Sequence, residues 1–404
     1  MNGSENKKAK SFTKHSNEVN MSLQDLDPRW DNQTLNYDLE KHNWPEFWLG
    51  IAKEKFPQIE TLETVHKILN PTQLVELGRH LQNTCGEERF IEKVDAYYSE
   101  YIPDLLNGEE WMLQRFFTIR MVIPNQGKEG RLLQFHQGIW VGNGLGMRTV
   151  WTPFTKCYGN NTMQIMGWDE SDELTKRCYD EKMSNDELQN ECAKHCWPVT
   201  LEPGQAHLFQ QHHIHGNFNN DTDITRWSMD GRVLPKGGHY HRKLPGGYFR
   251  FIGERDDRRE IDTTKKWITY AGWNTKWSKH LPLPMQRAII GQYCDKHSIK
   301  INDYQFENEY VDWLPGLEKF ITGYGIDAIV CCSIYCLPDD AERRTELLRL
   351  ALEHNVELHF ANELCSLRSE KDLEHIQKVF EFVNENTPPN ITLGYEKQLL
   401  IDIY

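Results

Sequence analysis

Changes of periodicity along the chain predict an α+β protein in two parts. A double-stranded β-helix, a jelly-roll or cupin-like barrel with flanking helices, comes first, and a C-terminal α/β domain with a parallel sheet follows. Three observations carry this. Apolar residues recur at helical spacing from Trp30 to Leu106. Short β-rich runs broken by Gly, Asn and Pro then extend to about residue 235. From Trp267 onward, strand and helix patterns alternate, the sign of a layered α/β unit. At 404 residues the chain exceeds a single jelly roll and has room for two cores.

Taken in order, residues 1–27 are polar, rich in Lys, Asn and Ser, and lack the apolar stretch of a signal peptide, so they read as a disordered tail. Residues 28–235 make up the barrel domain with its N-terminal helices. Trp44-Pro45-Glu46-Phe47-Trp48-Leu49 opens one helix, and Asn70-Pro71 supplies an N-cap followed by proline at the first helical position of another. The strands fall at Phe116 to Pro124, Arg148 to Phe154, Thr162 to Met166, Ala206 to Gln210 and Arg226 to Leu234. Residues 169–197 are acidic and helix-like, with Ser184-Asn185-Asp186-Glu187 as a capping signal. They predict a helical lid inserted between two barrel strands.

Residues 236–264, rich in Gly and then in Asp and Arg, read as a linker, and 265–404 as an accessory domain. Within it the pattern gives strand Trp267 to Tyr270, helix Met285 to His297, helix Tyr310 to Gly323, strand Ala328 to Tyr335, helix Asp340 to His354, strand Glu357 to Ala361 and helix Lys371 to Asn384.

A net charge of −14 argues against sequence-independent nucleic-acid binding, which relies on Lys and Arg to neutralise phosphates. The 10 Cys are scattered rather than patterned as a disulfide framework, which points to a reducing, cytoplasmic setting. No stretch approaches a membrane span.

The chemistry concentrates in Phe135-His136-Gln137-Gly138-Ile139-Trp140. In a 2-His-1-carboxylate iron site, a His and an acid two residues later point the same way off a strand. Gly138 stands at the acid position and supplies no ligand, so a coordination position is left for a small anion such as chloride. The second half lies in His213-Ile214-His215-Gly216-Asn217 and in Arg226-Trp227-Ser228-Met229-Asp230-Gly231-Arg232. Arg226 follows His215 by eleven residues. Its guanidinium suits a dicarboxylate, because it binds a carboxylate through two parallel hydrogen bonds and keeps its charge when buried. Residues 226, 228, 230 and 232 share a face at period two. His213 shares the strand phase of His215. The Gly-Asn that follows favours His215.

With these residues in view, Pro103 to Pro235 resembles the iron(II)/2-oxoglutarate-dependent oxygenases of the phytanoyl-CoA hydroxylase superfamily, in the branch known as sporadic carbohydrate cluster oxygenases. The likeness rests on His136-Gln137-Gly138-Ile139-Trp140, Trp151-Thr152-Pro153-Phe154, Cys157-Tyr158, His215-Gly216-Asn217 and Arg226-Trp227-Ser228. Only the aspartate expected at 138 departs, and its replacement by Gly resembles the iron-dependent aliphatic halogenases. The resemblance implies His136 and His215 as iron ligands and Gly138 as the place beside which halide binds. It also implies Arg226 with Ser228 as the grip on 2-oxoglutarate and Trp151 packed against that cosubstrate. Gln137, Trp140, Asn143 and Arg232 are candidates for lining the cavity.

The implied cofactors are Fe(II), 2-oxoglutarate, O2 and chloride. The implied reaction is chlorination of an unactivated carbon in a sugar, nucleotide or amino-acid derivative. Iron(II) with two neutral imidazoles and a 2-oxoglutarate dianion is formally neutral, so chloride can bring the negative charge that a carboxylate ligand would. Hydroxylation, epimerisation or cyclisation are the alternatives within the family, and a non-catalytic binding protein is the alternative outside it. A rival zinc set, Cys178, Cys192, His195 and Cys196, lacks paired Cys-x-x-Cys knuckles.

The C-terminal part resembles the small companion proteins of the same carbohydrate clusters and, more faintly, the catalytic domain of serine recombinases. A recombinase would read Tyr-x-Arg-x-Ser, whereas this chain reads Tyr270-Ala271-Gly272-Trp273-Asn274 and has no serine nucleophile there. A docking or homodimerisation role is expected instead, with Glu357, His359 and Glu363 as a polar cluster near a strand end.

Overall fold

The computed structural model describes residues 32–125, 134–240, 243–272, 281–307 and 313–386. The expected tail at 1–27 lies outside the described residues, as do Trp273 and Asn274.

The chain begins with β1 (Gln33–Asn36) and four helices, α1 (Trp44–Lys55), α2 (Val65–Ile68), α3 (Pro71–Thr84) and α4 (Glu88–Leu105). Strands β2 (Trp111–Gln114), β3 (Thr118–Val122), β4 (Arg148–Pro153) and β5 (Met163–Ile165) come next. Helices α5 (Trp168–Glu181) and α6 (Asn185–His195) interrupt them before β6 (Trp197–Pro198), β7 (Gln205–Gln210), β8 (His215–Asn217), β9 (Arg226–Pro235) and β10 (Phe249–Arg250). The second part runs β11 (Trp267–Gly272), α7 (Leu283–Lys296), β12 (Ile301–Glu307), α8 (Pro315–Gly323), β13 (Ala328–Cys331), α9 (Ala341–Glu353), β14 (Glu357–Phe360), β15 (Cys365–Leu367) and α10 (Glu370–Asn386).

Local signals explain the helix starts. Asn43 accepts from the Glu46 amide at the head of α1. Asn70 and Gln73 close a reciprocal capping box on α3 with Pro71 just inside, and Ser184 and Glu187 do the same on α6. The helical reading of the N-terminal stretch overlooks β1, whose four residues pair antiparallel with β7. A strand that short has too few alternations to stand out in sequence.

Among the described residues, the first part holds two antiparallel sheets. The larger has the order β1-β7-β4-β9-β2-β10, with β3 also on β9, and the smaller has the order β6-β5-β8. β9 is the central strand, paired with β4 on one side and with β2 and β3 in succession on the other. Its two faces differ in kind. Trp227, Met229 and Val233 enter the apolar core formed with Trp44, Trp48, Leu77, Phe90 and Tyr97 of the helices. Arg226, Asp230 and Arg232 line a cavity on the opposite face. Gly231 lets α4 approach, since a Cβ there would lie 1.9 Å from the Tyr98 hydroxyl.

In the second part β12, β11, β13 and β14 are parallel, as expected, but β15 adds antiparallel to β14. The sheet is therefore mixed. β12 and β15 escape the sequence reading: β12 carries a mostly exposed polar pattern and β15 has three residues.

The described residues of 236–264, expected as a linker, form a packed seam instead. β10 pairs with β2, and Phe249 and Phe251 join Met112, Met147 and Leu234 in one core with Ile268, Ile334, Tyr335 and Phe380. Ion pairs fasten the seam to both sides. Arg250 and Arg255 both hold Asp95 of α4 at 2.7 Å, Arg115 reaches Glu254 at 2.7 Å, and Arg259 reaches Asp372 at 2.9 Å. The Asp and Arg content read as linker polarity is the charge of this network. Among the described residues no helix is long and apolar enough to cross a membrane.

Candidate metal centre

His136 and His215 meet across an isolated antiparallel bridge. Each amide donates to the other residue's carbonyl at 3.0 Å, and the rings lie 4.5 Å apart between centroids. Gly216 makes this approach possible, because a Cβ there would stand 2.8 to 2.9 Å from Cδ1, Cα and N of Phe135. Phe135 is clamped in turn by Gln189 of α6, which accepts from its amide at 2.7 Å and donates to its carbonyl at 2.9 Å. The inserted helices thus fix the chain just ahead of His136.

Both imidazoles are oriented alike. Nδ1 of His136 donates to the Gln134 carbonyl at 2.8 Å, and Nδ1 of His215 donates to the His213 carbonyl at 2.9 Å. A carbonyl only accepts, so each Nδ1 carries the proton and each Nε2 keeps a lone pair for a metal. Burial holds both rings below the ordinary imidazole range, and for His215 the neighbouring His136 adds to the effect. Neutral imidazole is the form that ligates.

The cavity beyond them runs between the two sheets and is walled by Arg120, Thr149, Trp151, Met163, Phe209, Asn217, Arg226, Asp230 and Arg232. Arg226 is buried, and its hydrogen bonds go to neutral oxygens, from Nε to the Asn161 carbonyl at 3.0 Å and from Nη1 to the Ser228 hydroxyl at 2.5 Å. Trp151 donates from Nε1 to the same hydroxyl at 3.1 Å, with its ring 5.4 Å from the guanidinium carbon. Burial pulls Arg226 down to about 10, which leaves it charged at neutral pH. Among the described residues no carboxylate is hydrogen-bonded to it, as a seat for an anionic cosubstrate requires.

The place that a side chain at 138 would take is filled by another residue. Gln137 keeps extended geometry, and a 3-10 turn, Gly138–Val141, begins at Gly138 itself. A Cβ at 138 would meet the Gln211 amide oxygen at 2.1 Å and Asn143 Nδ2 at 2.9 Å. Gln211 is buried and held at both ends, accepting from Asn143 at 2.6 Å and donating to Thr149 of the cavity wall at 2.6 Å. A side-chain amide therefore stands where a carboxylate would project.

Of the remaining candidates, Arg232 lines the cavity, while Asn143 lies behind Gln211. Gln137 is fully buried with both amide atoms unpartnered and is not among the cavity-lining residues. Trp140 packs with Phe135, Leu174, Leu188 and Ile214 under the inserted helices rather than on the cavity. His213 precedes β8 in a turn and does not share a strand face with His215, and its Nδ1 faces the Met166 carbonyl at 2.9 Å.

Sequence reading passes over Arg120, Asp230, Gln211 and Lys243. Asp230 carries a signal, the same phase as Arg226 and Ser228, and it is paired with Arg120 at 2.6 Å. Arg120 faces Ser228 in the β3–β9 register. Gln211 and Lys243 have no comparable local signal.

Among the described residues no group of three His, Cys, Asp or Glu side chains is placed to hold a metal ion. The rival zinc set is therefore not assembled, and Cys192 instead packs in an apolar cluster against Phe135 and Met166 with Cys178 and Cys196 beside it. All ten cysteines are free. In the second part, His359 is bonded on both sides, to the Tyr293 hydroxyl at 2.8 Å and to Glu357 at 3.1 Å, while Glu363 accepts from Ser333 and from the Ile334 amide. These groups satisfy one another.

No protein-family model matches the chain. Solved structures similar to part of it include non-heme and alpha-ketoglutarate-dependent enzymes. One is a nickel complex of the non-heme monooxygenase ThoJ, 14% identical, covering 58% of this chain and 89% of that one, with a TM-score of 0.36. Another is the epimerase SnoN in complex with Fe3+, alpha ketoglutarate and nogalamycin RO, 12% identical, covering 59% of this chain and 96% of that one, with a TM-score of 0.33. Among curated proteins, the streptomycin biosynthesis protein StrG of Streptomyces griseus is 29% identical over 164 residues, which is 39% of this chain. The match spans 66% of that relative's length.

Proposed function

We propose that this chain is an iron(II)/2-oxoglutarate-dependent oxidoreductase that halogenates an unactivated carbon of a small polar molecule. One observation carries the class. Two half-buried neutral imidazoles, each with Nδ1 tied to a carbonyl, present their Nε2 lone pairs to a cavity that also holds a buried guanidinium whose hydrogen bonds, among the described residues, go to neutral oxygens. This donor set fits iron with two protein ligands and a chelating keto acid. When bound with its keto acid and dioxygen, the iron supplies oxidative attack on a C–H bond. The chain's own part is to hold the rings in the ligating tautomer, to seat the distal carboxylate on Arg226 and Ser228, and to keep that carboxylate away from water under Trp151.

Gly138 supports halogenation, because no side chain there contributes a carboxylate and a halide can supply the charge. Gln211 favours a second reading. Its amide oxygen projects to the place a carboxylate at 138 would take, and an acceptor oxygen repels a halide while tolerating water or a substrate hydroxyl. Hydroxylation, epimerisation or cyclisation follows in that case.

The test is an anaerobic optical titration of the iron-loaded protein with 2-oxoglutarate, with and without chloride. A charge-transfer band that shifts with chloride supports halogenation. A band indifferent to chloride selects the second reading, and no band removes the iron reading in favour of a binding protein.

A further inference from the structure

Among the described residues, two cations near the cavity, Arg232 and Lys243, have no carboxylate as a hydrogen-bond partner. Arg120 is paired with Asp230 at 2.6 Å, and Arg226 is committed to Ser228 and the Asn161 carbonyl. Arg232, on the cavity wall, donates from Nη1 to the Gln114 side-chain oxygen at 3.0 Å and to the Tyr248 hydroxyl at 3.5 Å, and its buried Nε has no hydrogen-bond partner. Lys243 comes from the seam that follows the barrel. Its ammonium donates to the Asn143 side-chain oxygen and lies 4.9 Å from the Tyr248 ring centroid. The two cations therefore converge on one tyrosine, with only neutral groups as hydrogen-bond partners.

Asp230, the carboxylate within electrostatic reach of Arg232, is already paired with Arg120, and burying further like charges without a second counter-ion is unfavourable by several kcal/mol. Burial first, and Arg232 second, pull Lys243 down to about 7. An anion from solution would restore the ammonium of Lys243 and offset the charge of both groups. Two cations match a dianion better than a monoanion, and a phosphate monoester carries close to two negative charges at neutral pH.

We propose that Arg232 and Lys243, backed by Tyr248, form an anion subsite that holds a phosphate monoester group of the substrate beside the metal centre. The proposal rests on the iron/2-oxoglutarate reading for the identity of the cavity as the reaction site. It also gives the second domain a task. Lys243 and Tyr248 flank the turn at Pro245 and Gly246, which the second part holds through the Tyr335 hydroxyl on the Pro245 carbonyl at 2.8 Å. Gly246 itself, in left-handed backbone, packs against Val379, Glu363 and Ile334. The second part thereby sets the position of Lys243 and Tyr248, the two groups that stand against Arg232 of the cavity wall.

The experiment is calorimetric titration of the full-length, metal-free protein with methyl phosphate, inorganic phosphate and acetate, in the absence and presence of excess 2-oxoglutarate. Saturable binding of methyl phosphate that persists with 2-oxoglutarate, weakens about tenfold or more in Lys243→Met and returns in Lys243→Arg is the expected result. Methyl phosphate that fails to bind, or that 2-oxoglutarate displaces with no effect of Lys243→Met, overturns the subsite. Acetate binding as tightly as methyl phosphate overturns the phosphate class. Inorganic phosphate binding far more tightly than methyl phosphate makes this a free-phosphate site and overturns the substrate handle. Iron is absent throughout, so failure of the iron reading, judged by the optical titration, is separable from failure here.

Discussion

His136 and His215 exchange both backbone hydrogen bonds of an antiparallel pair, so their side chains leave the ladder on the same side. The metal-ligating geometry is therefore set by main-chain pairing between segments far apart in sequence, and two ring-to-carbonyl bonds then fix the rotation of each imidazole. Such a pair is as precise as the approach of the two backbones allows.

Gly216 controls that approach. A methyl group at 216 meets the Phe135 backbone at 2.9 Å, and Phe135 cannot retreat freely because Gln189 holds both its amide and its carbonyl. Gly216→Ala is expected to part the bridge and weaken cobalt(II) or iron(II) binding by about tenfold or more, with far-ultraviolet circular dichroism unchanged. Metal titration decides it, and undiminished affinity would show that the bridge does not set the ligand geometry.

Gly231 controls the packing behind the site. A Cβ there collides with the Tyr98 hydroxyl, which is buried without a hydrogen-bond partner. Gly231→Ala should destabilise the protein by about 1 to 3 kcal/mol, as overpacked cores do. Tyr98→Phe alone should cost little, and the double variant should recover part of the loss. Urea unfolding midpoints measure all three.

The sequence makes the central barrel strands legible because β4, β7 and β9 alternate or run apolar with clear ends, and the polar phase of β9 points to one cavity. The residues brought together there, His136, His215, Trp151, Arg226, Ser228 and Arg232, are those whose chemistry is unusual for a buried strand. What stays hidden depends on tertiary contact. Gln211 fills space that only folding brings beside Gly138, and Lys243 arrives from a stretch whose polarity imitates a linker. The seam is similarly hidden, since Arg250 and Asp95 are far apart in the chain and meet only in the fold.

Two further histidines give the stability a pH dependence. Burial pulls His207 down to about 3 and His212 to about 4, His212 being stacked on Trp168 at 4.1 Å. An unfolded chain binds protons on these rings near the ordinary value of 6.5, so stability is full above that pH. It falls as pH drops, by about 1.4 kcal/mol per unit for each ring, until the folded value is reached. Thermal melts between pH 7 and pH 5 should show a falling midpoint, and His212→Gln should flatten the slope.

Removal of residues 265–404 tests whether the second domain merely docks. Met112, Met147, Leu234 and Phe249 of the barrel share a core with Ile334, Tyr335 and Phe380. Deletion opens that core to water, and the expected outcome is an aggregated or unfolded product by size-exclusion chromatography and circular dichroism. A monodisperse truncated protein that retains iron would return the domain to a docking role.

The last prediction concerns the missing carboxylate. Gly138→Asp alone has no room for its side chain, because the Gln211 oxygen lies 2.1 Å from where the new Cβ would sit, and the amide is held by Asn143 on its oxygen and by Thr149 on its nitrogen. The single variant should therefore bind iron no better than the parent. Gly138→Asp combined with Gln211→Ala clears the space, and the carboxylate it admits should raise iron affinity and make the optical band indifferent to chloride. If Gly138→Asp alone achieves this, Gln211 yields readily and does not guard the position. If neither variant does, the 3-10 turn itself directs position 138 away from the metal, and the open coordination position follows from the backbone rather than from the glycine.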